Sequence, residues 1–503
     1  MLQDSLLGKL YNVWCGSRVF ALLQVLYRAF ARAADGSVIL RAVFSEGAPE
    51  RAYRSSLLCR AVNGVFALAR RILSPFAVLA AAADGSAILR AARGSRVIGR
   101  FVNFEGLFGA FLLLMFVTPH DYWNNFYTVL GTFVLLALYL LLAADRRRDY
   151  APPELLGPGV PVFLLACLLS IGFSADAADS ARILLFFLAS FALCYIAAAD
   201  LRDGERLRRV LALLYLALLV VSLYGIAQRA FGLVRVSSSF TDLELNKGVP
   251  GRVFSTLDNP INLSEFILLF MPLGAAFAAG ARKPLLRVLL AAGLALPALA
   301  LLLTYSRGGW LAIVLAAAVF TFCCNKRLIP ALFVVGLLAL PLLPQSVLIR
   351  LSTIGNTADS STMHRIDIWR GVLALIGDHD RFFTGIGLGP ETFRRIYPFY
   401  SVGLAKIGAY HSQQHYLELV LETGIVGLLA FLFMMCRWFG RAANALRGAA
   451  RERRLVLIAC ISSVCALALV GLVEYIWFYP RIMFAFFLFL GILLAAADGT
   501  ASE

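Results

Sequence analysis

RFFTGIGLGPETFRRIYPFYSVGLAKIGAYHSQQHYLELVLETGIVG, residues 381–427, closes the one long polar interruption in a chain that otherwise reads as successive apolar runs. Three glycines fall within five residues (Gly385, Gly387, Gly389), and Arg394, Arg395 and Tyr397 follow them. His411 and His415, two of the chain's five histidines, stand at the mouth of an apolar helix. Whether this stretch is a soluble domain or a loop between membrane spans depends on what surrounds it.

The surroundings are membrane-like. The chain has 503 residues, of which 60% are hydrophobic, and its mean hydropathy is +0.80. Ordinary soluble chains are roughly 45–50% apolar. Apolar runs of about 20 residues match the thickness of the hydrocarbon core, and only helices or closed barrels satisfy their backbone there. The net charge of +16 then belongs to cytoplasmic loops and anionic headgroups, and no nucleic acid partner follows from it. The opening MLQDSLLGKLYNVW lacks the parts of a cleavable signal peptide, so the first true span is expected to act as a retained signal.

Residues 1–103 form a separate region, rich in Arg and Ala, with an internal repeat: AADGSVILRA from Ala33 and AADGSAILRA from Ala82, with GSRVF at Gly16 echoed by GSRVI at Gly94. Its short apolar stretches (20–30, 62–68, 74–83) are broken by arginine. They read either as amphipathic helices on the inner leaflet or as a small cytoplasmic helical domain. Spans begin at Phe104 and are expected near 104–118, 126–144, 159–174, 181–199, 207–230, 262–280, 285–303, 308–323, 328–344, 412–436, 455–473 and 479–497. The expected fold is therefore an all-α polytopic membrane protein of about 12 transmembrane helices. Residues 104–344 carry the first nine spans, 345–411 form one large periplasmic loop, and 412–503 carry the last three.

Loop charge sets the orientation. Every second connection is basic: Arg146 to Arg148; Arg202, Arg206, Arg208, Arg209; Arg282, Lys283, Arg287; Lys326, Arg327; and Arg437, Arg441, Arg447, Arg451, Arg453, Arg454. Those connections are expected in the cytoplasm. The alternate ones, including 231–261, TYSRGG from Thr304, 345–411 and EYIWFYPR from Glu474, face outward. None of the nine cysteines falls in an expected outer segment, and no Cys/His spacing suggests a metal.

The informative residues break the charge rule. Arg252, Arg307, Arg365, Arg394 and Arg395 lie in expected outer segments, where arginine does nothing for orientation. Its planar, permanently charged fork suits a phosphate or pyrophosphate; the plain alternative is snorkelling, or an ion pair with Asp258 or Glu265. His411 and His415, four residues apart, can share one helical face, and a neutral imidazole can take a proton from a sugar hydroxyl near neutral pH. Glu418 and Glu422 continue that face and can orient a histidine. GIGLG has no preceding strand, so its glycines are read as a turn before a helix over 391–397 and not as a nucleotide loop. Asp378, His379 and Asp380 read as a solvated loop.

Three blocks together resemble the O-antigen ligase and polymerase superfamily of bacterial envelope glycosyltransferases: GRVFSTLDNPINLSEFILLFMPLG from Gly251, LLTYSRGGWLAIVLA from Leu302, and RIDIWRG followed by GIGLGPETFRRIYP and HSQQHYLELVLETGIVG. The resemblance implies a GT-C-like polytopic fold in the bacterial inner membrane, with its site facing the periplasm. It implies a glycan donor on undecaprenyl pyrophosphate and a glycan or lipid A–core acceptor. It implies transfer with no cofactor and no essential metal. Arg252 and Arg307 match family arginines that grip the donor pyrophosphate, with Arg365, Arg394 and Arg395 as further candidates. A histidine at the end of the loop would be the base. In the family pattern that histidine stands eleven residues before the first glycine of a GxxG; here the count back from Gly424 lands on Gln413, between His411 and His415. Either can supply the imidazole, with Gln413 and Glu418 orienting it, and His411 is favoured as the one nearer the loop. Ligase, polymerase and protein O-oligosaccharyltransferase all need the same donor grip. A transporter is the competing class, and it would carry charged or broken helices at mid-membrane in two related halves.

Overall fold

In a computed structural model of the chain, residues 6–37, 47–77, 86–95, 99, 102–145, 147–234, 250–352, 360–378, 381–403 and 408–499 are described. Arg146, His379, Asp380, residues 38–42 and 82–85 of the repeat, and 96–98 of its GSRVI echo lie outside them, as do parts of three expected loops (235–249, 353–359, 404–407). Every regular element among the described residues is helical. In chain order these are α1 (Leu6–Cys15), α2 (Arg18–Gly36), α3 (Ala48–Ser55), α4 (Leu57–Leu73), α5 (Ala87–Gly94), α6 (Phe104–Val117), α7 (Asn125–Ala144), α8 (Gly159–Ile171), α9 (Ala177–Asp200), α10 (Gly204–Ala230) and α11 (Pro260–Gly280). There follow α12 (Pro284–Gly293), α13 (Ala295–Leu303), α14 (Arg307–Asn325), α15 (Ile329–Ala339), α16 (Gln345–Ser352), α17 (Ser360–Asp378), α18 (Pro390–Ile396), α19 (His415–Ala445), α20 (Arg451–Val470) and α21 (Pro480–Asp498). Among the described residues, nine helical runs are long and apolar enough to cross a membrane; α6 and α8 are shorter apolar helices.

The centre is α21. Its sequence PRIMFAFFLFLGILLAAAD is apolar on all sides, the pattern of a helix surrounded by other helices, and 94% of its apolar window is buried. It lies against α9, where Phe191 meets Phe487 at 4.6 Å. Phe489 meets Phe270 of α11 at 4.9 Å. A Cβ on Gly491 would run into the Cys194 carbonyl, so α9 and α21 approach backbone to backbone. Such close approach by small residues is how helices gain packing where lipid is as apolar as they are. The run Pro284–Leu303 is the opposite case, with only 17% of its window buried.

Asn325 leaves the helical conformation (φ −161°, ψ 100°) and separates α14 from α15. The chain returns at α16, where Tyr305 Oη lies 3.0 Å from Ser346 Oγ and Arg350 Nε donates to the Tyr305 carbonyl (3.4 Å). Residues 345–350 are therefore back beside the turn that starts α14.

Basic residues gather at one end of the bundle and are laced to acids there. Arg148 bridges Glu105 and Asp200, Arg206 reaches Asp200 at 3.1 Å, and Arg209 reaches Glu105 at 2.7 Å. The N-terminal helices dock at this end. Glu50 of α3 pairs with Arg437, Asn63 of α4 donates to Glu154 (3.2 Å), and Phe66 sits edge-on to Tyr195 at 5.0 Å.

Candidate functional site

The opposite end holds the residues singled out in the sequence. Between α10 and α11 the chain is shaped by Gln228, whose Oε1 accepts from the backbone of Ser255 (2.8 Å) and Phe254 (3.3 Å). Ser255 Oγ donates to the Val221 carbonyl (2.6 Å). This loop presents Arg252, which is buried and whose Nε donates to the Thr304 carbonyl (2.7 Å) in the turn before α14. Arg307 opens α14, and its Nη2 donates to Ser361 Oγ (3.0 Å) near the start of α17. Arg365 of α17 pairs with Glu474 in the α20–α21 connection. Burial pushes the Arg252 guanidinium down to about 9; the Arg350 charge adds to this, Glu474 opposes it, and Arg365 and Arg307 contribute further. Arg252, Arg307, Arg350 and Arg365 thus act on one another electrically, with the Glu474 carboxylate opposing them.

Arg365 also joins this cluster to His411, whose ring burial and the Arg365 charge hold at about 3. The imidazole packs on Phe478 (4.3 Å) and Tyr475 (5.6 Å). Its Nδ1 accepts the Gln413 backbone N–H (3.1 Å), so the neutral ring carries its proton on Nε2. Gln413 acts through its main chain, which sits at φ 58°. Glu418 accepts from the Ser412 N–H (2.5 Å) and fixes the backbone between the two. His411, Tyr410, Tyr475, Glu418 and Glu422 line one small pocket, roofed by Gly389 and Pro390.

The shared-face expectation for the two histidines is not met. The left-handed backbone at Gln413 breaks the chain between them, and the helix begins at His415. His415 is buried in an aromatic cage of Trp477 (4.4 Å), Phe431 (5.7 Å), Tyr475 (5.9 Å) and Tyr416 (5.6 Å). Neither of its ring nitrogens has a hydrogen-bond partner among the described residues.

The glycines serve close packing. Gly385, Gly387 and Gly389 all have positive φ (72°, 108°, 96°) and lead into α18. The Gly389 N–H donates to Glu422 Oε1 (2.8 Å), and Glu422 Oε2 accepts from Tyr475 Oη (3.2 Å). Burial first, then the Glu422 charge, raise the Tyr475 hydroxyl well above its ordinary value, so it stays a donor. Inside α19, Gly424 leaves the helix (φ 68°, ψ 177°). The groups this frees pair with the preceding loop: Ile386 N–H donates to the Leu421 carbonyl (2.8 Å), and Ile425 N–H to that of Phe382 (2.7 Å). Glu418 and Glu422 therefore sit on a short helical segment set off from the rest of α19.

Arg394 and Arg395 stand further out. Arg394 pairs with Glu391 at 3.1 Å on an exposed face and lies over the Tyr410 ring at the pocket rim. Arg395 pairs with Asp176 at the start of α9 (2.6 Å). Asp378 accepts from Tyr400 Oη (2.6 Å), and the described residues contain no group of three or more His, Cys, Asp or Glu able to hold a metal.

Sequence reasoning passed over Arg350, Glu474 and Tyr475. Arg350 satisfies the same exception to the charge rule as Arg252. Glu474 and Tyr475 lay in the segment EYIWFYPR, where they read as one connection among several. Strain marks the site too: among the described residues, all four non-glycine positions with positive φ (Ser255, Asp258, Tyr305, Gln413) lie in the connections that build it. Held backbone outliers gather where surrounding structure overdetermines them, commonly at functional sites.

The architecture is that of a multi-pass helical membrane protein with a buried polar cluster at one end of its bundle. Residues 291–432 match the family model described as O-antigen ligase. The match takes in Arg307, Arg365, His411, His415, Glu418 and Glu422 and leaves Arg252 and Glu474 outside it. No curated protein matches the chain.

Proposed function

We propose that the protein is a membrane glycosyltransferase that transfers or polymerises glycan from an undecaprenyl-pyrophosphate-linked donor onto an acceptor hydroxyl, on the outer face of the bacterial cytoplasmic membrane. The observation that carries this reading is the meeting of Arg252, Arg307, Arg350 and Arg365 with His411, joined through Arg365 and Glu474. The O-antigen ligase domain supports the reaction class. In this reading the chain crosses the bilayer twelve times: the nine long runs, α6 and α8, with α14 and α15 counted separately because residues 345–350 return to Tyr305. The basic end is cytoplasmic and the polar cluster periplasmic, with residues 345–411 as the large loop.

The donor's lipid lies between helices and its diphosphate among the arginines, whose charge replaces that of a metal. The acceptor oxygen attacks the anomeric carbon, the bond from that carbon to the diphosphate oxygen breaks, and undecaprenyl pyrophosphate leaves. Stabilising the leaving group's charge by pre-set donors carries much of the rate. His411 stands on the acceptor side; the donor diphosphate's negative charge beside Arg365 offsets part of what holds the ring's basicity down, and the acceptor's proton then goes to the ring. For that, the Gln413 contact on Nδ1 must open, and relaxation of Gln413 from its left-handed backbone opens it. His415, caged, keeps the helix start in place.

The test is the purified protein in proteoliposomes with lipid-linked oligosaccharide and either lipid A–core or a second lipid-linked unit. Release of undecaprenyl pyrophosphate with formation of a new glycan product is expected. Lipid A–core consumption marks a ligase, and lengthened lipid-linked chains mark a polymerase. Full transfer by both Arg307→Gln and His411→Ala would overturn the site.

A further inference from the structure

At the basic end, away from the polar cluster, a cleft opens between α10, α11, α12 and α20. Its walls are apolar, with Leu211, Ala276, Phe277 and Leu290 among them. The cleft exists because α12 stands off the bundle: none of its residues is buried, and Leu285, Val288 and Leu289 face outward. Tyr215 Oη donates to the Leu290 carbonyl (2.5 Å) and ties α12 to α10.

The mouth carries Arg208, Arg451 and Arg453 with Glu452. Glu452 faces Arg282 at 3.9 Å, and Arg453 donates to the Arg202 carbonyl (2.8 Å). Arg208 is half-buried and Arg451 exposed, and neither forms an ion pair among the described residues. An apolar cleft rimmed by Arg208 and Arg451 matches the chemistry of a lipid acyl chain with an anionic headgroup.

We propose that this cleft holds one anionic phospholipid, with acyl chain against Leu211, Phe277 and Leu290 and headgroup phosphate between Arg208 and Arg451. This rests on the bundle crossing a bilayer and is independent of glycan transfer. The bound lipid completes the packing that α12 lacks.

The experiment is native mass spectrometry of the full chain released from nanodiscs of mixed phosphatidylcholine and phosphatidylglycerol. Wild type is expected to retain one phosphatidylglycerol in preference to phosphatidylcholine. R208Q/R451Q should retain it about tenfold less, or weaker still. G280L tests the cleft with its arginines intact: a Cβ at Gly280 meets only Glu452 Cγ, at 3.9 Å, so a larger side chain can enter there and take up part of the space an acyl chain would need. It too should lose the lipid at unchanged helix content. R447Q, an arginine at the same end but outside the cleft, should retain it. Equal uptake of both lipids, retention in either cleft variant, or loss in R447Q as large as in R208Q/R451Q overturns the proposal.

Discussion

The two ends of the bundle are both rich in arginine, and the guanidinium groups at each meet different kinds of partner. At the basic end the buried guanidinium of Arg148 is matched by two carboxylates, Glu105 and Asp200, which Arg209 and Arg206 also reach. At the other end Arg252 and Arg350 are steadied by backbone carbonyls, of Thr304 and Tyr305, and Arg481 by those of Thr118 and Trp123. A carbonyl fixes a guanidinium without cancelling its charge. A carboxylate fixes it and cancels it. The Glu105–Arg148–Asp200 arrangement makes a clasp between helices, whereas at the other end the guanidinium groups of Arg252, Arg307, Arg350 and Arg365 act on one another. Arginine count alone does not tell a site from a staple; the surroundings of each guanidinium have to be read.

The sharpest break of this contrast is at the site. His411→Ala is expected to lower turnover by about 10²–10⁴ while lipid-linked donor still binds. His415→Phe should keep turnover within about tenfold of wild type, because the aromatic cage accepts another ring. Reversal of that order in a transfer assay would move the chemistry to His415. pH sharpens the point. The folded His411 is held at about 3, below the ordinary 6.5, so the ring stays neutral from pH 8 to about 4. As pH falls through 6.5 the unfolded chain gains a proton that the folded chain lacks. Stability from this group is therefore complete above 6.5 and is lost progressively toward 3. Transfer between pH 5 and 8 should show no acid limb from His411. A limb near 6.5 that vanishes in His411→Ala would mean a solvated ring.

At the basic end the prediction is about stability. Arg148→Ala leaves Glu105 and Asp200 buried without their main counter-charge, and should cost about 3–5 kcal/mol, read as unfolding in detergent. Glycan transfer by the protein that remains folded should be unchanged. Arg307→Gln is the mirror case: transfer is expected to fall about 10²–10³ with little change in unfolding. If Arg148→Ala abolished transfer in folded protein, the division between the ends would fail.

Much of this contrast was legible in sequence, and unevenly. Spans declare themselves by length and composition, so α9, α11 and α21 lie close to where apolar runs put them. Arg252 and Arg307 were visible because they broke the charge rule; Arg350 breaks it in the same way and was passed over. What sequence could not carry was non-local. The i, i+4 spacing of His411 and His415 suggests one face only if the helix runs through Gln413, and a left-handed residue there separates them. The break at Gly424 depends on carbonyl and amide partners at Phe382 and Ile386, brought alongside by the tertiary fold. Whether Arg365 meets an acid was settled by Glu474, more than a hundred residues away.

The smallest expected effect tests how far the site extends. Arg394 and Arg395 are more than half exposed and already paired, with Glu391 and Asp176. Exposed pairs of this kind contribute about 0–1 kcal/mol, because water screens the attraction and two long side chains lose freedom in making it. Arg394→Gln and Arg395→Gln should therefore shift unfolding little. They should also leave turnover within about fivefold, the most that about 1 kcal/mol corresponds to. Arg394 is the more exacting of the two, since it lies over Tyr410 at the rim of the His411 pocket. If Arg394→Gln raised the KM for the acceptor and left donor affinity alone, the rim would belong to acceptor recognition. A tenfold loss of donor affinity would instead extend the diphosphate grip to α18, and Arg394, like Arg365, would be an arginine of the site that also pairs with a carboxylate.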